Sequence, residues 1–302
     1  MKAKFVWING RFVRWKNAKI FILDHSLHYG TAIFEGIRAY QTFDKNTAIF
    51  RLKEHVERFF RSAKVAMMKL PYTKKEIFEA CVEIVRKNKL RACYIRPIAW
   101  LGYGGIGIGV KAPINVAIAA IPFGAYFGKK TERGVKTKIV EIIRPHPKSF
   151  PPNAKLSGSY IISRIATLLA KKAGFDEAIL LDYKGNVAEG AAENIFVVKD
   201  GRLFTPPIES ILGGITRRTI MEIAKDFGIK CYEKFFKKDF LLKADEAFFT
   251  GTATEITPII QINGKKIGNG KPGKMTLMLK KIYMDVVTGK IAKYKKWLTY
   301  VY

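Results

Sequence analysis

Four short stretches of this 302-residue chain bring reactive side chains together with backbone that could aim them. Lys155 stands in Pro151-Pro152-Asn153-Ala154-Lys155-Leu156-Ser157-Gly158-Ser159-Tyr160, just ahead of a helical pattern. A lysine amine does covalent or proton-transfer chemistry only once it is neutral. In a chain this basic, solvated surface is the default for any single lysine. Glu189, in Val187-Ala188-Glu189-Gly190-Ala191-Ala192-Glu193-Asn194, is an acid among small residues beside strands. That setting favours partial burial, and a buried carboxylate needs a cationic partner. Gly213-Gly214-Ile215-Thr216 directly precedes another helical pattern. Its N–H groups and the helix dipole suit a phosphate, while an ordinary glycine loop capped by Thr216 fits the same residues. Gly251-Thr252-Ala253-Thr254 follows the apolar run Ala247-Phe248-Phe249-Thr250, so its hydroxyls and amides could receive an anion or form a plain polar turn.

Other motifs carry less. Gly102-Tyr103-Gly104-Gly105-Ile106-Gly107 fits GxGxxG, but Ile108-Gly109-Val110-Lys111-Ala112-Pro113 puts a glycine and a proline where the phosphate-facing helix would run. The segment reads as a loop. Cys81, Cys93 and Cys231 form no CxxC pair and read as small core residues in a reducing compartment. His25, His28, His55 and His146 have neither HExxH spacing nor a neighbouring cysteine, so no metal site is expected.

Composition sets the outer bounds. With 48% hydrophobic residues the chain can fill real cores, which excludes wholesale disorder. The 54 Lys and Arg against 25 Asp and Glu give a formal charge of +29, which raises nucleic acid as a partner. The basic residues are scattered through amphipathic segments and no RNP-type aromatic cluster occurs, so nucleic acid is not expected as the main partner. Apolar runs such as Val116–Pro122 fall far short of the roughly 20 residues of a membrane span. The run Phe5–Ile8 is shorter than the roughly 7 to 15 residues of a secretion signal core, so the expected location is the cytoplasm.

The elements that must position these residues follow from pattern. Two apolar runs around Asn9-Gly10 predict an opening hairpin. Strands are expected over Ile33–Tyr40 and Thr47–Arg51, then two helices, the second opened by the capping box Thr73-x-x-Glu76, then strands over Ala92–Trp100 and Asn115–Ile121. After the Gly-rich, charged stretch Pro122–Gly134, a helix over Ser159–Lys172 ends near Gly174. Short strands follow at Ala178–Asp182, Asn194–Val198 and Arg202–Thr205. A helix over Thr216–Phe227, an Asn263-Gly264 hairpin within Ile256–Ile267 and a last helix over Lys274–Val287 complete the chain. Strands and helices are segregated, and the class is α+β in two domains: a small N-terminal domain over 1–121, a loop over 122–134 and a larger C-terminal domain over 135–302.

Taken in order, Arg51 after a strand, Asn153-Ala154-Lys155 with Tyr160, Glu189-Gly190-Ala191-Ala192-Glu193-Asn194, Gly213-Gly214-Ile215-Thr216-Arg217 and Thr250-Gly251-Thr252-Ala253-Thr254-Glu255-Ile256-Thr257-Pro258 resemble the branched-chain aminotransferase family, of the fold type IV class of pyridoxal-phosphate enzymes. The resemblance spans nearly the whole chain. It includes His28-Tyr29-Gly30-Thr31, Phe34-Glu35-Gly36-Ile37-Arg38, Tyr94-Ile95-Arg96-Pro97 and Phe123-Gly124-Ala125-Tyr126, while Ala192 stands where the family often has glycine.

The resemblance implies roles. Lys155 would hold the cofactor aldehyde as a Schiff base and then carry the proton between substrate and cofactor. Glu189 would sit against the pyridine nitrogen and Tyr160 against the phenolic oxygen. Arg51, the Ile215 and Thr216 groups and Thr252 would hold the phosphate. Phe34, Gly36, Tyr94 and Tyr126 would wall an apolar pocket, with Arg96 receiving the distal carboxylate of glutamate or 2-oxoglutarate and the Thr252 and Ala253 amides the α-carboxylate. Tyr29, Ile106 and Ile108 would come from a neighbouring subunit, which implies a homodimer or a higher homo-oligomer.

The fold implied is the two-domain type IV α+β architecture, its larger domain carrying a barrel-like sheet. The activity implied is ping-pong exchange of an amino group between Leu, Ile or Val and 2-oxoglutarate. D-amino-acid transamination and aminodeoxychorismate lyase chemistry are the alternatives within the same fold, and a basic nucleic-acid-binding protein is the alternative from another class.

Overall fold

The computed structural model describes residues 3–302. Its contacts divide the chain into two compact units. The first comprises the chain up to Gly124 together with Ala154–Gly158 and Asp285–Tyr302. Its sheet has eight strands, all paired antiparallel. Leu298–Tyr300, Thr47–Phe50, Ile37–Gln41, Cys93–Leu101, Ile114–Pro122, Phe5–Ile8 and Arg11–Arg14 lie side by side, and Ala32–Phe34 adds to Cys93–Leu101. The hairpin at Asn9-Gly10 forms as its residues dictate, with φ of 46° and 86°, the positive pair a primed two-residue turn requires.

Helices Leu52–Val65 and Lys74–Lys87 turn Val56, Phe59, Ala63, Ile77, Ile84 and Val85 onto the strands' Ile33, Ile37, Ile49 and Ile95. Burying each large aliphatic side chain in such a core contributes about 1.5–3 kcal/mol. The Thr73–Glu76 capping box opens the second helix, each side chain bonded to the other residue's backbone N–H.

Two expectations change here. The strand expected over Ile33–Tyr40 is two strands, Ala32–Phe34 and Ile37–Gln41, broken at Glu35-Gly36. Glu35 turns inward to His55 and Arg58, and a Cβ on Gly36 would come 1.8 Å from the Tyr94 hydroxyl, so neither residue fits a regular pleat there. The expected division also gave all of 135–302 to the C-terminal domain. Leu156 instead bridges to Ile33, and Leu298–Tyr300 completes the first sheet beside Thr47–Phe50, so both segments belong to the first unit.

The second unit comprises Ala125–Asn153 and Ser159–Met284. Its nine-stranded mixed sheet runs Val187–Gly190, Glu177–Leu181, Val135–Ile139, Glu255–Ile262, Glu246–Gly251, Asn194–Lys199, Arg202–Thr205, Cys231–Glu233, with Lys265–Lys266 added to Glu255–Ile262. The chain just beyond the last strand returns to the first: Val187 N donates to Phe236 O, and Asn186 bridges to Lys237. That contact curls the sheet into the barrel-like form expected of the larger domain. Helix Tyr160–Lys172 packs on Glu177–Leu181 through Ala166 and Ala170. Helix Ile215–Asp226 ends at Phe227, followed by Gly228 in the left-handed region. Among the described residues no helix is long and apolar enough to cross a membrane.

Candidate active site

In the first unit the segment Ala154–Gly158 lies along strand Ala32–Phe34. Lys155 N donates to Ser62 Oγ at 2.9 Å, and Phe34 N donates to Lys155 O at 3.2 Å. These bonds fix the base of a partly buried lysine whose Nζ lies 4.9 Å from the centre of the Phe34 ring. Burial pushes its amine down to about 8, with the Arg58 charge acting in the same direction and Glu35 opposing it. An amine so lowered is neutral in an appreciable fraction of molecules near neutral pH, which a solvated surface lysine is not.

The charges behind it form a buried cluster. Arg58 donates from Nε to Glu35 Oε1 at 2.6 Å and from Nη2 to Oε2 at 3.0 Å, while His55 Nδ1 lies 2.7 Å from Oε2. Burial works to raise the Glu35 carboxyl, but Arg58 and His55 outweigh it and hold the group well below the usual carboxylate range. Burial lowers the His55 imidazole despite Glu35. Glu35 is therefore the fixed anion of the cluster and Arg58 its fixed cation.

Four of the expected pocket residues adjoin the lysine. Arg96 Nη2 donates to the Tyr94 hydroxyl at 3.1 Å, and its guanidinium lies 4.7 Å from the Phe34 ring centre and 5.1 Å from that of Tyr94. The Tyr94 hydroxyl occupies the space a side chain at Gly36 would take. Both Tyr94 and Arg96 act electrostatically on Lys155. Phe34, Gly36, Tyr94, Arg96 and Lys155 thus form one group.

Others lie apart. Arg51 heads helix Leu52–Val65 with φ of 48°, its guanidinium 3.7 Å from the Trp297 ring centre and Nη1 2.9 Å from Glu54. The cation that acts most strongly on Lys155 is instead Arg58. Tyr29 leans on His25 in the short helix His25–Tyr29. Ile106 and Ile108, 83% and 74% exposed, project from a loop tied down by His25 Nε2 at 3.1 Å from Gly107 O. Tyr126, in the second unit, packs edge-on against Phe127 and is exposed.

The second unit gathers the other candidates around the Glu189–Asn194 turn. Glu189 is buried, with Oε1 2.9 Å from Arg144 Nε and Oε2 accepting from Asn194 Nδ2 at 3.1 Å. Arg144 is the cation that a buried acid at this position requires. Asn194 Nδ2 also donates to Leu212 O, and its Oδ1 fills the space of a Cβ at Gly214, so one amide locks the acid to the loop that opens helix Ile215–Asp226. Gly214 is the N-cap residue of that helix. Thr216 lies buried inside the first turn and is not its cap, because the helix starts one residue earlier than its polar pattern suggests. The loop carrying Thr252 and Ala253 approaches the same turn, with Ala192 O 3.8 Å from the space of a Cβ at Gly251. Tyr160, half-buried, opens helix Tyr160–Lys172.

Sequence reasoning missed Glu35, His55, Arg58, Arg144 and Asn194 as site residues. The signals were present: a lone acid inside an apolar strand pattern, and a histidine and an arginine on the apolar face of a helix whose buried positions are Leu52, His55, Val56, Arg58, Phe59, Ser62 and Ala63.

The family model described as amino-transferase class IV matches residues 32–262, a span holding Lys155, Glu189 and both loops. The chain belongs to the class IV aminotransferases. Among members of this family, the branched-chain-amino-acid aminotransferase of Pseudomonas aeruginosa is 44% identical over 300 residues, 98% of this chain and 97% of that protein. The structure of the branched-chain aminotransferase of Thermoproteus uzoniensis with norvaline covers 100% of both chains at 45% identity and a TM-score of 0.95. That of the branched-chain amino acid aminotransferase of Thermobaculum terrenum, in its PLP-bound holo-form, covers 100% of this chain and 99% of that one at 32% identity and a TM-score of 0.93. The fold is accordingly that of the type IV aminotransferases.

Proposed function

We propose that this class IV aminotransferase moves the amino group between the branched-chain L-amino acids Leu, Ile and Val and 2-oxoglutarate, using pyridoxal 5'-phosphate. The observation that carries the reading is Lys155, an amine lowered to about 8 beside Phe34, Tyr94 and Arg96 in a chain of this family. The names of the relatives favour branched-chain substrates over D-amino-acid or lyase chemistry.

The donor set suits such a cofactor: a lowered amine for an aldehyde, a buried carboxylate for a ring nitrogen, and the first turn of a twelve-residue helix for a phosphate. When bound, pyridoxal phosphate supplies an electron sink that no side chain can provide. Lys155 is the residue whose Nζ would hold the cofactor aldehyde, and as a free amine it would hold and return the proton that moves at the substrate Cα. Glu189 keeps the ring nitrogen protonated, with Arg144 and Asn194 fixing its carboxylate. Tyr160 donates to the phenolic oxygen. Ile215, Thr216 and Thr252 bind the phosphate. We assign the accompanying guanidinium to Arg58 in place of Arg51, because Arg58 is the cation that acts most strongly on Lys155.

Phe34, Gly36, Tyr94 and Tyr126 receive an aliphatic side chain, Arg96 a distal carboxylate, and the Thr252 and Ala253 amides the α-carboxylate. The exposure of Tyr29, Ile106 and Ile108 supports a second copy of the chain as their cover, hence a homodimer at least. The buried thiols Cys81 and Cys93 suit the reducing cytoplasm.

The test is direct. Purified protein given pyridoxal phosphate turns yellow, borohydride fixes the label on Lys155, and leucine with 2-oxoglutarate yields glutamate. A protein that stays colourless, or one whose Lys155→Ala variant is labelled equally, overturns the reading.

A further inference from the structure

The mechanism above leaves unused one acid of the second unit, Glu193, which is 3% exposed and stands four residues after Glu189. Its Oε2 accepts from Ala192 N at 3.0 Å and its Oε1 from Thr254 Oγ1 at 3.3 Å, while its backbone carbonyl accepts from Gly190 N at 2.7 Å. A Cβ at Gly190 would lie 2.7 Å from Oε2, so the missing side chain there lets the carboxyl fold back on its own turn. Thr254 is fixed in turn, its carbonyl accepting from Thr257 Oγ1 at 2.9 Å. One carboxyl therefore ties the turn that carries Glu189 and Asn194 to the loop that carries Thr252 and Ala253.

The setting is wrong for an anion. The donors to this carboxyl are a backbone amide and a hydroxyl, both neutral, and the charges acting on it are those of Glu177 and Glu189, both negative. Glu177, on strand Glu177–Leu181, accepts from Thr167 of helix Tyr160–Lys172, with Lys171 and Asp176 near it, and Glu189 carries Arg144. Arg144 is already paired with Glu189. Three acids at one sheet end cannot all stay ionised at acceptable cost.

We propose that Glu193 is a positioning residue of this site, its carboxyl kept as the neutral acid to brace the Glu189–Asn194 turn against the Gly251–Thr254 loop. The proposal rests on the aminotransferase reading and deepens it. The direction of the Glu193 equilibrium agrees: burial, then Glu177 and Glu189, push it up to about 8. Burial raises the Glu177 carboxyl as well, so the two acids compete for one proton; loss of the proton from Glu193 adds a negative charge beside Glu189 and loosens the brace, so the substrate-carboxylate loop and the ring-nitrogen acid lose their register together. In stability, the folded chain keeps a proton that the unfolded chain releases near 4.5, so stability falls as pH rises from there to about 8 and levels beyond.

The test compares wild type, Glu193→Gln, Glu193→Ala and Thr254→Val. Glutamine keeps an acceptor and a donor without charge at any pH. With the holoenzymes, kcat/KM for leucine at about pH 7 should fall about tenfold or more in Glu193→Ala and Thr254→Val, and stay within about threefold of wild type in Glu193→Gln. The wild-type fall in kcat/KM above about pH 8 should be absent or shifted upward in Glu193→Gln. In the apo-proteins, the wild-type melting midpoint should decline between about pH 4.5 and 8 more steeply than that of Glu193→Gln.

A Glu193→Gln variant as impaired as Glu193→Ala, or one that keeps both wild-type pH slopes, overturns the proposal. Should Glu193→Ala not fold, Thr254→Val and Glu193→Gln decide it. A wild type that transfers no amino group defeats the aminotransferase reading instead, and the melting profiles still decide the state of Glu193.

Discussion

Arg58 grips Glu35 with two donors, Nε to Oε1 at 2.6 Å and Nη2 to Oε2 at 3.0 Å, and both side chains are almost wholly buried. A pair of this kind adds little over a well-packed apolar substitute, yet removing one partner strands the other charge away from water. Glu35→Ala should therefore destabilise the first unit by about 3–5 kcal/mol in urea unfolding, and Glu35→Gln by less, because its amide still accepts one guanidinium bond. Equal stability of Glu35→Ala and wild type would show that the cluster is not the closed ionic unit its geometry describes.

Burial does most to lower the Lys155 amine, and the same pair adjusts the pH at which it becomes reactive. Arg58 lowers the amine and Glu35 raises it, around a value near 8. In the apo-protein, the rate of pyridoxal phosphate attachment should climb as pH rises through about 8 and then level, since only the neutral amine attacks. Arg58→Met removes the repelling charge, so the midpoint should move to higher pH, whereas Glu35→Gln should move it lower. Stopped-flow absorbance of the yellow product measures all three. Midpoints that do not separate would rule out Arg58 and Glu35 as the tuning charges.

What the sequence disclosed and what it hid divide along local and distant chemistry. The Asn9-Gly10 turn, the Thr73–Glu76 box and the glycine loop before Ile215 are decided by residues a few positions apart, and each forms where pattern placed it. Glu189 stood out from its small neighbours in the same way, whereas Lys155, one lysine among many, took its expected role from the order of motifs that carries the family resemblance. The cluster of Glu35, His55 and Arg58 depends on contacts between a strand end and a helix about 20 residues on, and each member alone looks like an ordinary polar residue. Arg51 was named through the family resemblance, as a residue after a strand, and the contact of its guanidinium with Trp297, near the far end of the chain, is one that no local pattern records. The return of Leu156 to Ile33 and of Leu298–Tyr300 to the first sheet likewise depends on strand pairing that no local periodicity records.

Gly36 provides a steric test of the substrate wall. A Cβ there would lie 1.8 Å from the Tyr94 hydroxyl and 2.7 Å from its ring carbon, so Gly36→Ala must displace the tyrosine. Overpacking of this kind costs about 1–3 kcal/mol, and the moved ring should raise KM for leucine about tenfold. In a Tyr94→Ala background the cost of Gly36→Ala should largely vanish, so that the double variant melts close to Tyr94→Ala alone, with KM still high. A double variant that melts well below Tyr94→Ala would mean that the clash lies elsewhere.

The role proposed for Arg96, receiving a distal carboxylate, predicts different effects on the two substrates. Its guanidinium rests on the Phe34 and Tyr94 rings and donates to the Tyr94 hydroxyl, yet the residue remains exposed, so its charge can meet an arriving carboxylate without a large desolvation cost. Leucine offers that position only methyl groups, whereas glutamate and 2-oxoglutarate offer a carboxylate. Arg96→Leu should therefore lower kcat/KM for glutamate by about tenfold to a hundredfold, the equivalent of one charge-assisted hydrogen bond, and change that for leucine less than about threefold. Arg96→Lys keeps the charge but loses the planar fork that stacks on both rings, so it should fall between the two. Parallel losses for leucine and glutamate in steady-state kinetics would reduce Arg96 to a packing residue and leave the distal carboxylate to be bound by another cation.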